Sequence, residues 1–96
     1  MFVTVTRISA PKEPLDRMAE AFRRSAPDLK QFTGFLGFEL WRNEGTLEAV
    51  ARWESRQAME AYTNSDAFRS HHGGGAGGGQ GGGQVEYFDG EVVIGS

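Results

Sequence analysis

Histidine is the side chain best suited to acid–base or ligand chemistry near neutral pH. This sequence holds only two, His71 and His72, side by side at the end of the stretch WESRQAMEAYTNSDAFRSHH that begins at Trp53. Successive helical residues point about 100° apart, so the two imidazoles do not converge on one metal ion. No Glu-x-x-His or His-x-x-x-His spacing completes a zinc site, and there is no cysteine to supply a thiolate. A single imidazole can serve as a general base or as a lone ligand. The alternative is two exposed histidines at a helix end, where cationic side chains are favoured by the helix dipole. Thr6 is a further candidate, because Val3 and Val5 face one side of a strand and Thr4 and Thr6 the other. A face of hydroxyls suits a pocket wall, although Thr6 reads equally as an ordinary strand threonine.

These residues need elements to position them. Ser55 is an expected N-cap, after which Ala58, Met59 and Tyr62 recur at helical spacing. Asn64-Ser65-Asp66 supplies a second stop and cap, and Ala67 and Phe68 start a short second helix carrying the histidines. Phe68 and His72 stand four apart and share a face of it. Residues 2 to 9 read as a strand, and Leu15, Met18, Ala19 and Phe22 form one apolar helical stripe. Pro27 interrupts that helix, with Leu29 and Phe32 on a short extra turn. Phe35 to Arg42 and Leu47 to Trp53 read as an antiparallel pair joined by Asn43-Glu44-Gly45-Thr46.

Near the C-terminus, Val85 to Phe88 and Glu91 to Ile94 flank Asp89-Gly90, suggesting one long bent strand or, failing that, a small hairpin. The order β-α-β-β-α-β is the ferredoxin-like pattern: an α+β fold with a four-stranded antiparallel sheet and helices on one face. Under simple alternation Phe35 and Trp41 share one face of the second strand and Leu36, Phe38 and Leu40 the other, so neither face is simply solvated. Pairing of two copies would cover the second face.

Bulk composition bounds the function. Ninety-six residues with 39% hydrophobic and 24% charged content suit one globular domain, near the lower end of sizes that bury a self-sufficient core. A net charge of −3 with interspersed signs gives no basic footprint for nucleic acid and no polybasic membrane patch. The cysteine-free chain, without an export-like leader or a long apolar run, leads us to expect a cytoplasmic protein.

The tract Gly73 to Gln84, GGGAGGGQGGGQ, holds nine of the 14 glycines and is expected to be a mobile loop within the domain. It contains a Gly-x-Gly-x-x-Gly match. A phosphate-cradling loop needs a preceding strand and a following helix, whereas here a helix precedes and a strand follows. The tract reads as a lid beside a ligand site or as a neutral loop expansion.

Taken together, the strand ending in Trp53-Glu54-Ser55, the helix bearing Tyr62, the Ser65-x-x-Phe68 pair and the histidine after it resemble the antibiotic biosynthesis monooxygenase (ABM) family, and more narrowly its IsdG-like haem-degrading branch. Gly34-Phe35-Leu36-Gly37-Phe38-Glu39-Leu40 followed by Arg42 resembles that family's second strand. The likeness runs from residue 2 to about 72 and resumes at the C-terminal strand; the glycine tract falls outside it.

The resemblance implies a homodimer in which two sheets pair into a dimeric α/β barrel. It also implies a monooxygenase acting on haem or on a small aromatic. The branch's haem-ligating histidine lies four residues past the phenylalanine, which is His72 here; a helix one residue shorter would make it His71. One imidazole suffices, since the porphyrin supplies the four equatorial donors. The branch has a first-strand asparagine at the position of Thr6 and a tryptophan at that of Tyr62. Thr6 keeps one hydrogen-bond donor but loses the amide's reach, and Tyr62 keeps an aromatic wall and gains a hydroxyl. Two other readings stay open: a cofactor-independent oxygenase of quinol- or anthrone-like aromatics, and a non-catalytic haem or small-ligand binding dimer. Trp41 and Trp53 are expected in the core or the dimer interface.

Overall fold

The computed structural model describes residues 1–66 and 84–95. The elements run β1 (Phe2–Ser9), α1 (Lys12–Ser25), a 3-10 turn (Ala26–Gln31), β2 (Phe35–Asn43), β3 (Thr46–Trp53), α2 (Arg56–Thr63) and β4 (Gln84–Asp89). The strands form one antiparallel sheet in the order β2-β3-β1-β4, with α1 and α2 on one face. This is the ferredoxin-like α+β architecture expected from the order of the elements. Asp66 is the last described residue of the Asn64-Ser65-Asp66 cap. The short helix expected from Ala67, with His71 and His72, and the glycine tract up to residue 83 lie outside the described residues.

Local chemistry explains the boundaries. The Ala58 amide donates to Ser55 Oγ at 3.2 Å, so Ser55 caps α2 as its position before the apolar stripe predicts. Leu15 and Ala19 of α1 are buried, and Met18 and Phe22 pack beside them on the same stripe. Pro27 lies in the first turn of the 3-10 segment, which buries Leu29. The β2–β3 hairpin closes on Glu44-Gly45, with Gly45 at φ 84. Gly34, at φ 88, is required for a second reason: a Cβ there would lie 2.6 Å from the Ala58 Cβ, so only glycine lets β2 begin beneath α2. The Glu54 amide donates to the Gly34 carbonyl at 2.7 Å across that approach.

Between the sheet and the helices lie two core clusters. Phe2, Leu29, Trp53 and Met59 form an aromatic one, with Phe32, Phe35, Phe38 and Tyr62 packed around it. Ile8, Leu15, Ala19 and Leu47 form the other, flanked by Met18, Phe22 and Leu40. Trp53 is 1% exposed, as expected of a core tryptophan.

Two expectations are corrected. A bulge between Phe35 and Gly37 inserts one residue into β2 and reverses its phase, so Phe35 shares the helix side with Phe38 and Leu40 instead of the far side with Trp41. The C-terminal segment forms neither one long bent strand nor a hairpin. β4 ends at Asp89, opposite Phe2, and β1 is its one neighbour among the described residues. The Gly90 amide donates to the Met1 carbonyl at 2.7 Å, and beyond it Val92, Val93 and Ile94 are exposed.

The outer face of the sheet is mixed. Val3, Val5 and Arg7 of β1 stand beside Val50, Arg52 and Glu48 of β3, with Glu39 and Trp41 on one flank and Glu86 and Phe88 on the other. Arg7 Nε reaches Glu48 at 2.8 Å, Arg52 reaches Glu39 at 3.2 Å, and Trp41 Nε1 donates to Glu39 at 3.1 Å. Trp41 is 54% exposed, so it lies outside this chain's own core.

Candidate functional site

Thr6 lies on the helix side of β1, in phase with Phe2, Thr4 and Ile8, and pairs with Ala49 on β3 and Val85 on β4. The alternation read from the sequence therefore places its side chain correctly. Thr4 pairs with Ala51 in the same way. Four small side chains, Thr4, Thr6, Ala49 and Ala51, thus occupy the sheet between the Phe2–Trp53 pair of the aromatic cluster and the Ile8–Leu47 pair of the aliphatic one. The sequence reading did not single out Ala49 and Ala51. Their signal was a small residue at every second position of β3, flanked by Leu47 and Trp53.

Tyr62 comes from the last turn of α2 and stands at the aromatic end of this face. Its ring stacks on Trp53 at 5.6 Å between centroids and 23° between planes, and meets Phe32 edge-on at 5.0 Å. Phe35 closes the group edge-on to Trp53 at 5.3 Å. Burial, reinforced by the nearby charge of Asp28, raises the Tyr62 phenol above its ordinary value, so the ring keeps its proton throughout the neutral range. Ser65 Oγ donates to the Tyr62 carbonyl at 2.5 Å and the Ser65 amide donates to it at 2.9 Å, which fixes the chain direction where it leaves α2.

Thr6 and Tyr62 therefore share one side of the sheet. Thr6 is four residues, about 13 Å, along β1 from Phe2, the register partner of Trp53. His71 and His72, the candidates for ligand or base, lie outside the described residues. Among the described residues no three His, Cys, Asp or Glu side chains gather as a metal site, and no helix is long and apolar enough to cross a membrane.

Two open clefts flank Arg56, the first residue of α2. One, of about 350 Å³, lies between Phe2, Arg56, Tyr87 and Asp89; the other, of about 410 Å³, lies between Arg56, Met59, Thr63 and Tyr87. The Arg56 guanidinium sits 5.4 Å over the Phe2 ring, which stacks on Tyr87 at 5.9 Å. Neither cleft includes Thr6 or Tyr62. Arg56 and Tyr87 come together only through strand pairing between β1 and β4, and no motif in the sequence announces them.

The chain is 32% identical over 78 residues to a staphylobilin-producing haem oxygenase of Staphylococcus haemolyticus, covering 75% of this chain and 73% of that one. It is 35% identical over 52 residues to a haem-degrading monooxygenase of Listeria monocytogenes, a match spanning 48% of this chain and only 43% of the relative's length.

Among solved structures it resembles a point mutant of MhuD with two manganese protoporphyrin IX bound per active site, with a TM-score of 0.76, 27% identity and full coverage of both chains. It shares its fold with SnoaB, a cofactor-independent oxygenase from Streptomyces nogalater, with a TM-score of 0.77, 18% identity and coverage of 97% of this chain and 95% of that one. The family model of the antibiotic biosynthesis monooxygenases matches residues 1–74. With the β-α-β-β-α-β sheet and the helix-side face in place, these matches establish that the chain belongs to the antibiotic biosynthesis monooxygenase family.

Proposed function

We propose that this chain is a haem-binding monooxygenase of the haem-degrading kind. The reading rests chiefly on the small side chains of Thr4, Thr6, Ala49 and Ala51 on the helix side of the sheet, next to the Tyr62 ring stacked on Trp53. The haem-degrading relative from Staphylococcus haemolyticus and the porphyrin-bound MhuD support it. His72 would hold the iron through a neutral ring nitrogen, with His71 as the alternative. Bound haem would supply the redox chemistry. Thr6 would donate a hydrogen bond from the sheet side, and Tyr62, stacked on Trp53, would form the aromatic wall. With Thr6 and Tyr62 in place of asparagine and tryptophan, ring cleavage is expected to be slow.

Two copies would pair through the outer sheet face. There Val3, Val5, Trp41 and Phe88 are interleaved with the ion pairs of Arg7 and Arg52, and Val92 to Ile94 are exposed as well. An uncovered apolar surface favours a second copy over solvent. A light-scattering mass at twice 10.5 kDa is expected at micromolar concentration, and a monomer mass would remove the dimer.

Hemin titration followed by absorbance tests the main reading. Saturable binding with a ligated Soret band is expected, weakening as pH falls through the imidazole pKa and lost in His72→Ala, with a smaller effect for His71→Ala. Adding a reductant then separates slow degradation from binding alone. No saturable hemin binding would overturn the haem reading and leave a cofactor-independent oxygenase of quinol-like aromatics, with His72 as the base that forms the phenolate. The fold shared with SnoaB favours that second reading. Saturable binding without product would leave a non-catalytic haem-binding dimer.

A further inference from the structure

We propose that Trp53 and Tyr62 form a two-member hole relay that carries an oxidising equivalent out of the core and leaves it on the Tyr62 phenol. The two rings are 5.6 Å apart and nearly parallel, so their π systems face each other. Trp53 is 1% exposed, whereas Tyr62 is half-buried. Their other aromatic neighbours, Phe32 and Phe35, meet them edge-on and are far harder to oxidise, so they act as insulation.

The rest of the chain offers few competing routes. It has no cysteine, and its only other indole and phenol are elsewhere: Trp41 on the outer face against Glu39, and Tyr87 on β4 against Phe2.

The balance is simple. A one-electron oxidant of the peroxyl class, as aromatic oxygenation produces, takes one electron from Trp53 and is reduced to the peroxide anion; the indole becomes a radical cation. Tyr62 returns one electron to the indole while its phenolic O–H bond breaks and the proton passes to water. The net change is one phenol converted to a neutral phenoxyl radical plus a proton, against one reduced oxidant, with Trp53 restored. Loss of the phenol proton accompanies loss of the electron, and the neutral phenoxyl radical so formed is a weaker oxidant than the indole radical, which gives the transfer its direction. The relay rests on the oxygenase reading only for the source of the oxidant; the transfer itself needs no ligand.

The test uses Trp41→Phe/Tyr87→Phe protein, in which Trp53 and Tyr62 are the only indole and phenol left. Trp53 is photoionised by a laser flash with a cobalt(III) ammine as irreversible electron acceptor. Decay of the indolyl radical matched by growth of a phenoxyl band, at a rate independent of protein concentration, is expected. Adding Tyr62→Phe should abolish the phenoxyl band and lengthen the indolyl lifetime several-fold.

An unchanged lifetime in that variant, or a transfer rate that rises with protein concentration, would overturn the relay. If the double variant does not fold, freeze-quenched wild-type protein replaces it. Tyr62→Phe should then remove most of the phenoxyl signal and Tyr87→Phe little; the reverse outcome would overturn the proposal. The hemin titration is a separate readout, so haem binding can fail while the relay holds, and the relay can fail while haem binds.

Discussion

The two ends of the core use the same sheet for different purposes. At the Ile8–Leu47 end the contacts are mainly aliphatic, α1 lies across them, and no candidate site residue is involved. At the Phe2–Trp53 end the filling is aromatic, with stacked and edge-on geometry, and Tyr62, Phe32 and Arg56 all depend on it. Aliphatic packing is forgiving of orientation, whereas stacked rings fix it. A site that must present a flat wall is better built on the second kind of core. Between the ends the helix side of β1 and β3 carries only the small residues Thr4, Thr6, Ala49 and Ala51.

This contrast can be broken experimentally. Trp53→Ala should be the most damaging single change, costing about 3–5 kcal/mol and removing any hemin binding, whereas Leu47→Ala at the aliphatic end should cost about 2–5 kcal/mol and leave the affinity of the folded fraction intact. Urea unfolding read beside hemin titration separates the two. Equal loss of affinity in both variants would show that the ends do not divide the work.

Gly34→Ala comes next. It combines left-handed backbone with a 2.6 Å approach to Ala58, so α2 must lift from β2 at a cost of about 1–3 kcal/mol. Ala58→Gly in the same chain should recover the steric part and leave the backbone part, as measured by the urea midpoint.

A smaller effect concerns pH. The Tyr62 phenol is raised in the folded state, so its contribution to stability is present below the unfolded phenol value near 10 and is lost as pH rises through the folded value. Titrating tyrosinate absorbance should place the Tyr62 step above the free-phenol value, and Tyr62→Phe should remove that step. The smallest effect is expected at the exposed Lys12–Asp16 pair on α1, where Lys12→Ala should change stability by no more than about 0.5 kcal/mol.

Much of this arrangement was legible in the chain. Ser55 before an apolar stripe is a local signal with a local cause, and it is the cap observed. Thr6 fell on the helix side because strand alternation has a period of two and β1 is unbroken. The same rule misplaced Phe35, since a bulge adds one residue and inverts everything before it, and Leu36 carries no mark that distinguishes it from a regular strand residue. The C-terminal Val92 to Ile94 has every compositional sign of a strand, yet a strand needs a neighbour and β1 has already begun at Phe2. Composition cannot report where a partner ends. Arg56 and Tyr87 were missed for a related reason, because they meet only after β4 has paired across the sheet.

The position of β4 has one more consequence. Among the described residues it pairs only with β1, and all six of its residues are exposed. Its amides should therefore open by local excursions that leave both clusters intact and exchange with deuterium long before those of β3, which is paired on both sides. The sheet would then unzip from one edge. During each excursion the bare rim of β1 would be free to pair with any extended segment in reach, making this edge the first place where the protein can misassemble.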